Sequence, residues 1–200
     1  MAVRDGERTR EAILVAAEDL FARQGFEGTS MQQIGDAAGV ARSTPAYFFR
    51  SKDALYEAVL ARAVDRAESA IAQAYAADDG ERSPEEAVES YVHALIDFLA
   101  GDRAFVCLLQ RESLSDGHRV AEFLSRLADE AVAIVTPAAE LAGVPPQRLV
   151  LDLVALCWYP LAHDETLLPA LGMNPREQRF LDEHKRHVAG LTRAFIRSRA

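Results

Sequence analysis

The chain has 200 residues, half hydrophobic and only 8% aromatic, enough to bury a sizeable core in one large domain or two small ones. A net charge of −9 counts against a polyanionic partner, but residues 1–55 carry seven Lys/Arg against eight Asp/Glu while residues 56–200 carry fifteen against twenty-three, so any polyanion site belongs to the first quarter. The longest apolar run, LVLDLVALCWYPLA at 149–162, contains Asp152 and falls short of a membrane span, and the polar MAVRDGERTR start is no signal peptide.

Ile13, Ala16, Ala17, Leu20 and Phe21 recur at helical spacing, so 8–24 reads as an amphipathic helix that Gly25 ends. Thr29 or Ser30 then caps a second helix with Ile34, Ala37 and Ala38 inward, ending at Gly39. A short third helix runs from about Ser43 to Phe49. Ser51 caps a long fourth helix to about Ala77, with Asp53 in its first turn and Leu55, Val59 and Ala63 on its stripe. DDGERS at 78–83 is a turn, and Ser83-Pro84-Glu85-Glu86 opens the next helix with a capping box.

Helices are expected over 84–100, 103–114 and 117–141, with Pro137 kinking or ending the last of these. GVPPQ at 143–147 breaks the chain, and Pro146 opens a helix that Pro160 and HDETLLPALGMNP end. Asn174-Pro175-Arg176-Glu177 starts a final helix over about 176–198. The sequence contains no strand pattern, repeat or low-complexity tract, so the fold class is all-α. Cys107 and Cys157 both lie in apolar runs, as buried thiols of a cytosolic protein do.

Two short helices separated by Gly39-Val40 form the core of a helix-turn-helix, whose second helix enters a DNA major groove. Ala41, Arg42, Ser43 and Thr44 stand where base edges would be, with Arg42 suited to guanine or phosphate. Tyr47 can reach a phosphate through its hydroxyl, and Lys52 can take another. Phe48 divides between DNA contact and packing, and Phe49 reads as core. Thr29, Ser30 and Gln32 at the start of the second helix complete the candidate DNA-binding set.

From about Arg8 to Tyr56 the order ILVAAEDLFARQGFEGTSMQQIGDAAGV, a short aromatic helix, then SKDALYEAVL resembles the DNA-binding domain of TetR-family transcriptional regulators. The resemblance implies an N-terminal helix-turn-helix domain, placed at 1–52, and a helical effector-binding and dimerisation domain at 53–200. It further implies a two-fold homodimer on a palindromic double-stranded DNA operator, released by a small-molecule effector. The chain departs from the family at Pro45-Ala46, where an aliphatic residue and a tyrosine are usual. Tyr47, about 100° further round the helix, then becomes the candidate for that phosphate contact.

No phosphate loop, nucleophile elbow or zinc-protease helix occurs, so no catalytic residue, cofactor or metal is expected. His184 and His187 form an HxxH, but no further ligand at obvious spacing completes a metal site. His163-Asp164-Glu165 reads as a loop or pocket rim. FVCLLQRE at 105–112 and LCWYPLAH at 156–163 mix large apolar with polar groups, as ligand sites do. Phe105, Leu109, Trp158 and Tyr159 are the candidate lining of a pocket for an apolar or amphipathic effector. His93, Gln110 and Arg111 are its candidate polar contacts, an inward Arg111 favouring a carboxylate. Leu149, Leu153, Leu156, Leu181, His184, Val188, Leu191 and Phe195 on two C-terminal helices are the candidate dimer interface.

These features describe a cytoplasmic, ligand-responsive transcriptional repressor. Two rivals remain: an all-helical enzyme or lipid carrier using the apolar cavity, and a module whose N-terminal helices dock a protein partner.

Overall fold

A computed structural model describes residues 2–76, 82–114 and 118–199. Among them all regular structure is helical: α1 Ala2–Gly28, α2 Met31–Ala37, α3 Thr44–Phe49, α4 Lys52–Ala76, α5 Pro84–Gly101, α6 Arg103–Ser113, α7 His118–Leu141, α8 Pro146–Ala162, α9 Leu167–Ala170 and α10 Gln178–Arg197. The chain groups into two compact units, residues 1–65 with 104–123, and residues 66–103 with 124–200. The expected turn at 78–83 falls largely outside the described residues.

In the first unit the expected stripe of α1 is the core: Ile13, Ala17 and Phe21 are fully buried. The helix begins earlier than its stripe, at Ala2, and Gly25 breaks it with φ 75° before one more turn to Gly28. Ser30, not Thr29, caps α2: its hydroxyl accepts from the Gln33 N–H, and Gln33 Oε1 accepts from the Ser30 N–H at 2.8 Å. Gly39 ends α2 at φ 68°. The Val40 N–H reaches the Gly35 carbonyl at 3.0 Å and the Gly39 N–H reaches that of Asp36 at 3.2 Å. This pair of bonds closes a helix only where the penultimate residue is left-handed, which is why Gly-Val stands there. Ser51 opens α4 as expected, its hydroxyl accepting from the Ala54 N–H at 3.1 Å.

In α4, Leu55, Tyr56, Val59, Leu60 and Ala63 are buried. Tyr56 sets its ring edge-on to Phe21 and Phe26, at 4.8 and 5.1 Å. Its hydroxyl donates to Glu112 Oε1 on α6 at 2.6 Å. The neighbouring Arg111 donates to the carbonyls of Ala22 and Arg23, at 2.9 and 2.6 Å, where the break at Gly25 leaves the end of α1 short of helical donors. Successive residues on a helix point about 100° apart. One step along α6 therefore reaches both α1 and α4.

In the second unit Ser83 forms the expected capping box with Glu86 and Pro84 takes the first turn of α5. Helices α5, α8 and α10 pack on one another. Three ion pairs join α5 to α10: Glu85 to Arg197, Glu89 to Arg193, and Asp97 to Lys185. The numbers rise along one helix as they fall along the other, so the two run antiparallel. Arg103 and Arg176 bridge Asp164 and Glu165, which occupies the charged end of the HDE segment.

Two prolines lie inside helices. Helix α7 continues through Pro137, and Val135, Ala138, Ala139 and Ala142 around it are buried, so packing offsets the missing bond. Helix α8 continues through Pro160, which cannot donate to the Leu156 carbonyl one turn back. His184 Nε2 on α10 bonds that carbonyl at 3.0 Å instead, which makes Nε2 the protonated nitrogen. His184→Ala should then cost about 1 kcal/mol in thermal unfolding, and Pro160→Ala, which restores the N–H, should recover most of it in the double variant. Equal cost in both backgrounds would remove this role.

Burial, then the charge of His187, lowers the His184 pKa, while its bond to Leu156 raises it. The folded protein thus disfavours protonation, and this contribution is complete above about pH 6.5 and declines below it. Helix α10 starts at Gln178, two residues later than its signature suggests, because Asn174 Oδ1 accepts from the Arg176 N–H at 3.1 Å and folds a turn first. Both cysteines are free. Burial pushes the Cys157 thiol up to about 12, which keeps it protonated and inert.

Candidate nucleic-acid interface

Helix α3 rests on α2 at one point of close approach. A Cβ on Gly35 would lie 3.0 Å from the Arg42 Cα, 3.2 Å from the Ala41 carbonyl and 3.4 Å from Pro45 Cδ. Glycine at 35 and proline at 45 therefore fit together. The proline ring lies buried in the first turn of α3, where its missing N–H has no helical partner. Phe49 anchors the other end, buried at 6% exposure beneath the Arg10 guanidinium, 5.0 Å from its ring. Arg50 caps α3 with the left-handed φ of 62°.

This leaves one face of the motif to solvent. Ala41, Arg42 and Ser43 are exposed and Thr44 is half-buried. Ser43 precedes α3 without a capping bond from its hydroxyl. Tyr47 is 84% exposed and meets Phe48 edge-on at 5.4 Å. Gln32 is exposed on α2. Arg42 does not stand alone: its Nε donates to both oxygens of Asp36, at 3.0 and 3.1 Å. The Asp36 bond, ahead of its charge, raises the Arg42 pKa further above its ordinary range.

Two members of the expected set are engaged by the framework. Thr29 is only 2% exposed and its hydroxyl donates to the Gly25 carbonyl at 2.8 Å, so it cannot touch DNA directly. Lys52 Nζ donates to the Phe26 carbonyl at 2.9 Å and sits 4.2 Å from the centre of the Phe26 ring. It ties the start of α4 to the end of α1 before any phosphate arrives. Ser30 is exposed, but its hydroxyl is engaged in the cap of α2.

The effector candidates fall in both units. Phe105, Leu109, Gln110 and Arg111 lie in the first, and His93, Trp158 and Tyr159 in the second. Phe105 is buried, Leu109, Gln110 and Trp158 are half-buried, and Tyr159 is exposed. Arg111 is not turned toward a ligand carboxylate; its guanidinium serves the end of α1. His93 keeps a buried Nε2 with no hydrogen-bond partner among the described residues, as a ligand contact would.

The dimer candidates also divide. Leu149, Leu153, Leu181 and Val188 are core residues, all at 9% exposure or less, and cannot form an interface. Leu156 and Leu191 are exposed, and His184 and Phe195 are half-buried. Leu151 and Val154, outside the candidate sets, and Tyr159, placed with the effector candidates, are also exposed on α8. Their signal is that α8 carries large apolar residues beyond its one buried face, beside the exposed Arg148–Asp152 pair.

Comparison with known proteins agrees with the all-helical fold and its N-terminal helix-turn-helix. Residues 13–59 match the family described as bacterial regulatory proteins, tetR family, and residues 84–191 match the tetracyclin repressor-like C-terminal domain. The transcriptional regulator RutR of Escherichia coli (strain K12) is 29% identical over 95% of this chain and 91% of its own length. The transcriptional repressor NicS of Pseudomonas putida (strain KT2440) is 31% identical over 67% of this chain and 63% of its own. AibR, solved with isovaleryl coenzyme A and operator DNA, superposes with a TM-score of 0.70 at 17% identity, covering 92% of this chain and 97% of its own. PfmR of Thermus thermophilus superposes at 0.67 and 19% identity, covering 90% and 96%. These proteins are regulators, not enzymes, and the chain belongs to the TetR family of ligand-responsive, DNA-binding transcriptional regulators.

Proposed function

We propose that this regulator acts in the cytoplasm as a two-fold homodimer on a palindromic operator. Residues 1–52 read DNA, and residues 53–200 bind the effector and pair the chains. The observation that carries the DNA reading is the solvent-facing group of exposed Arg42 and Ser43 in the turn before α3 with half-buried Thr44 and exposed Tyr47 on α3, a helix fixed by Pro45 and Phe49. Two such heads would enter successive major grooves about 34–36 Å apart. Gln32, Ala41 and Phe48 flank that face, and Lys52 can still offer its remaining N–H groups to a phosphate while holding Phe26.

Pairing is supported by the apolar face that one chain leaves open on α8 and α10: Leu151, Val154, Leu156, Tyr159 and Leu191. A small apolar or amphipathic effector would release the DNA by favouring a conformer with another head spacing. AibR's coenzyme A thioester and operator DNA illustrate that this fold can accommodate both kinds of partner. Selection of bound fragments from genomic DNA tests the reading: one palindromic motif and a dimeric mass in solution are expected. A monomer at micromolar concentration, or no enriched motif at low salt, would overturn it.

A further inference from the structure

The Asp36–Arg42 pair is a strange choice for a surface helix. Asp36 lies in the last turn of α2, where the helix dipole disfavours a carboxylate. Its backbone is fixed by the bond from the Gly39 N–H, and Arg42 is fixed from below by the contact with Gly35. Both carboxylate oxygens converge on Arg42 Nε, at 3.0 and 3.1 Å. The arginine side chain nonetheless remains 68% exposed. Of the five N–H groups of this guanidinium, only the one on Nε is engaged among the described residues, which leaves the planar fork of the two terminal nitrogens open to a ligand.

We propose that Asp36 is a positioning residue that holds Arg42 for end-on recognition of a guanine. The proposal rests on reading α3 as the base-contacting helix. Guanine presents O6 and N7 side by side in the major groove, the acceptor pair that a guanidinium fork matches. An arginine held before binding loses less rotamer freedom when it docks. The carboxylate beside it repels a phosphate, so the pair suits a base edge better than the DNA backbone. Adenine, which offers an amino donor where guanine has O6, is rejected because the guanidinium accepts no hydrogen bond.

The ordinary alternative is an exposed ion pair of little consequence that salt screens. Selection from a randomised duplex pool separates the two, using full-length wild type, Arg42→Ala, Asp36→Asn, Asp36→Glu and the Arg42→Ala/Asp36→Asn double variant. Melting curves should confirm that all are folded. Arg42→Ala is expected to lose a guanine preference of about 5- to 150-fold at one base pair per half-site. Asp36→Asn should weaken the preference at that same base pair by about 2- to 5-fold, leave the others intact, and add nothing in the double variant. Asp36→Glu should restore part of it.

Full guanine preference in Asp36→Asn would overturn the proposal, even if all sequences bound more tightly. So would an Arg42→Ala protein that binds every sequence more weakly with a shallower salt dependence, the behaviour of a phosphate contact. A wild type that enriches no motif would instead overturn the base-reading role of α3, and this proposal with it.

Discussion

Gly35→Ala is expected to weaken operator binding by about tenfold or more, the loss of roughly one base contact, while lowering stability. Alanine would ordinarily stabilise a helix by up to about 1 kcal/mol relative to glycine. Here the added methyl meets the Arg42 Cα and the Ala41 carbonyl, which are backbone, and the rigid Pro45 ring. None can rotate away as a flexible side chain would. Overpacking of this kind costs about 1–3 kcal/mol and is relieved only by moving α3 off α2. That movement displaces Arg42, Ser43 and Thr44 together. Titration of wild type and variant against the same selected duplex, alongside thermal melts, measures both effects. Unchanged affinity would show that α3 is not held by this contact.

Tyr56→Phe should lower stability by about 1–3 kcal/mol, or roughly 2–4 °C in Tm for each kcal/mol. The ring still packs edge-on against Phe21 and Phe26, so the substitution isolates the hydroxyl. What is lost is the 2.6 Å bond to Glu112, in a place where both groups are buried. Glu112 is the only carboxylate on α6, and with Arg111 it fixes that helix to α1 and α4 within the first unit. Amide exchange along 103–113 should therefore accelerate in Tyr56→Phe more than exchange in α2, which is closed by its own caps. A variant as stable as wild type, with unchanged exchange in α6, would remove the tie.

The sequence made the local parts of this fold legible. Capping boxes at Ser30 and Ser83 and the Gly-Val stop of α2 are encoded within a few residues of where they act. The tripeptide Ala-Gly-Val recurs at 142–144, and the same two closing bonds recur with it at the end of α7. What could not be read depends on distant partners. Arg111 looks like a ligand contact until α1, 88 and 89 residues away, brings two carbonyls to it. Leu149 and Leu153 cannot be told from Leu151 and Val154 by composition, since α8 carries large apolar residues on its exposed side as well as its buried one and only packing decides which turns inward. The exposure of the residues after the Gly-Val turn was legible in outline, because polar residues there follow a local rule. The engagement of Thr29 and Lys52 was not, because it depends on the break in α1 at Gly25.

The ion pairs between α5 and α10 act as a key in a lock. Their partners are spaced by four and eight residues on one helix and by the same intervals on the other. Sliding α10 by one turn, about 5.4 Å, brings Ala189 opposite an acidic position in either direction and leaves at most one pair standing. Each pair is weak alone, yet a one-turn slide gives up at least two of the three at once. The pairs therefore disfavour translation of α10 along α5 as a response to a ligand. Tilt or rotation of the two helices as one piece remains open, and any signal that reaches α10 would carry α5 with it.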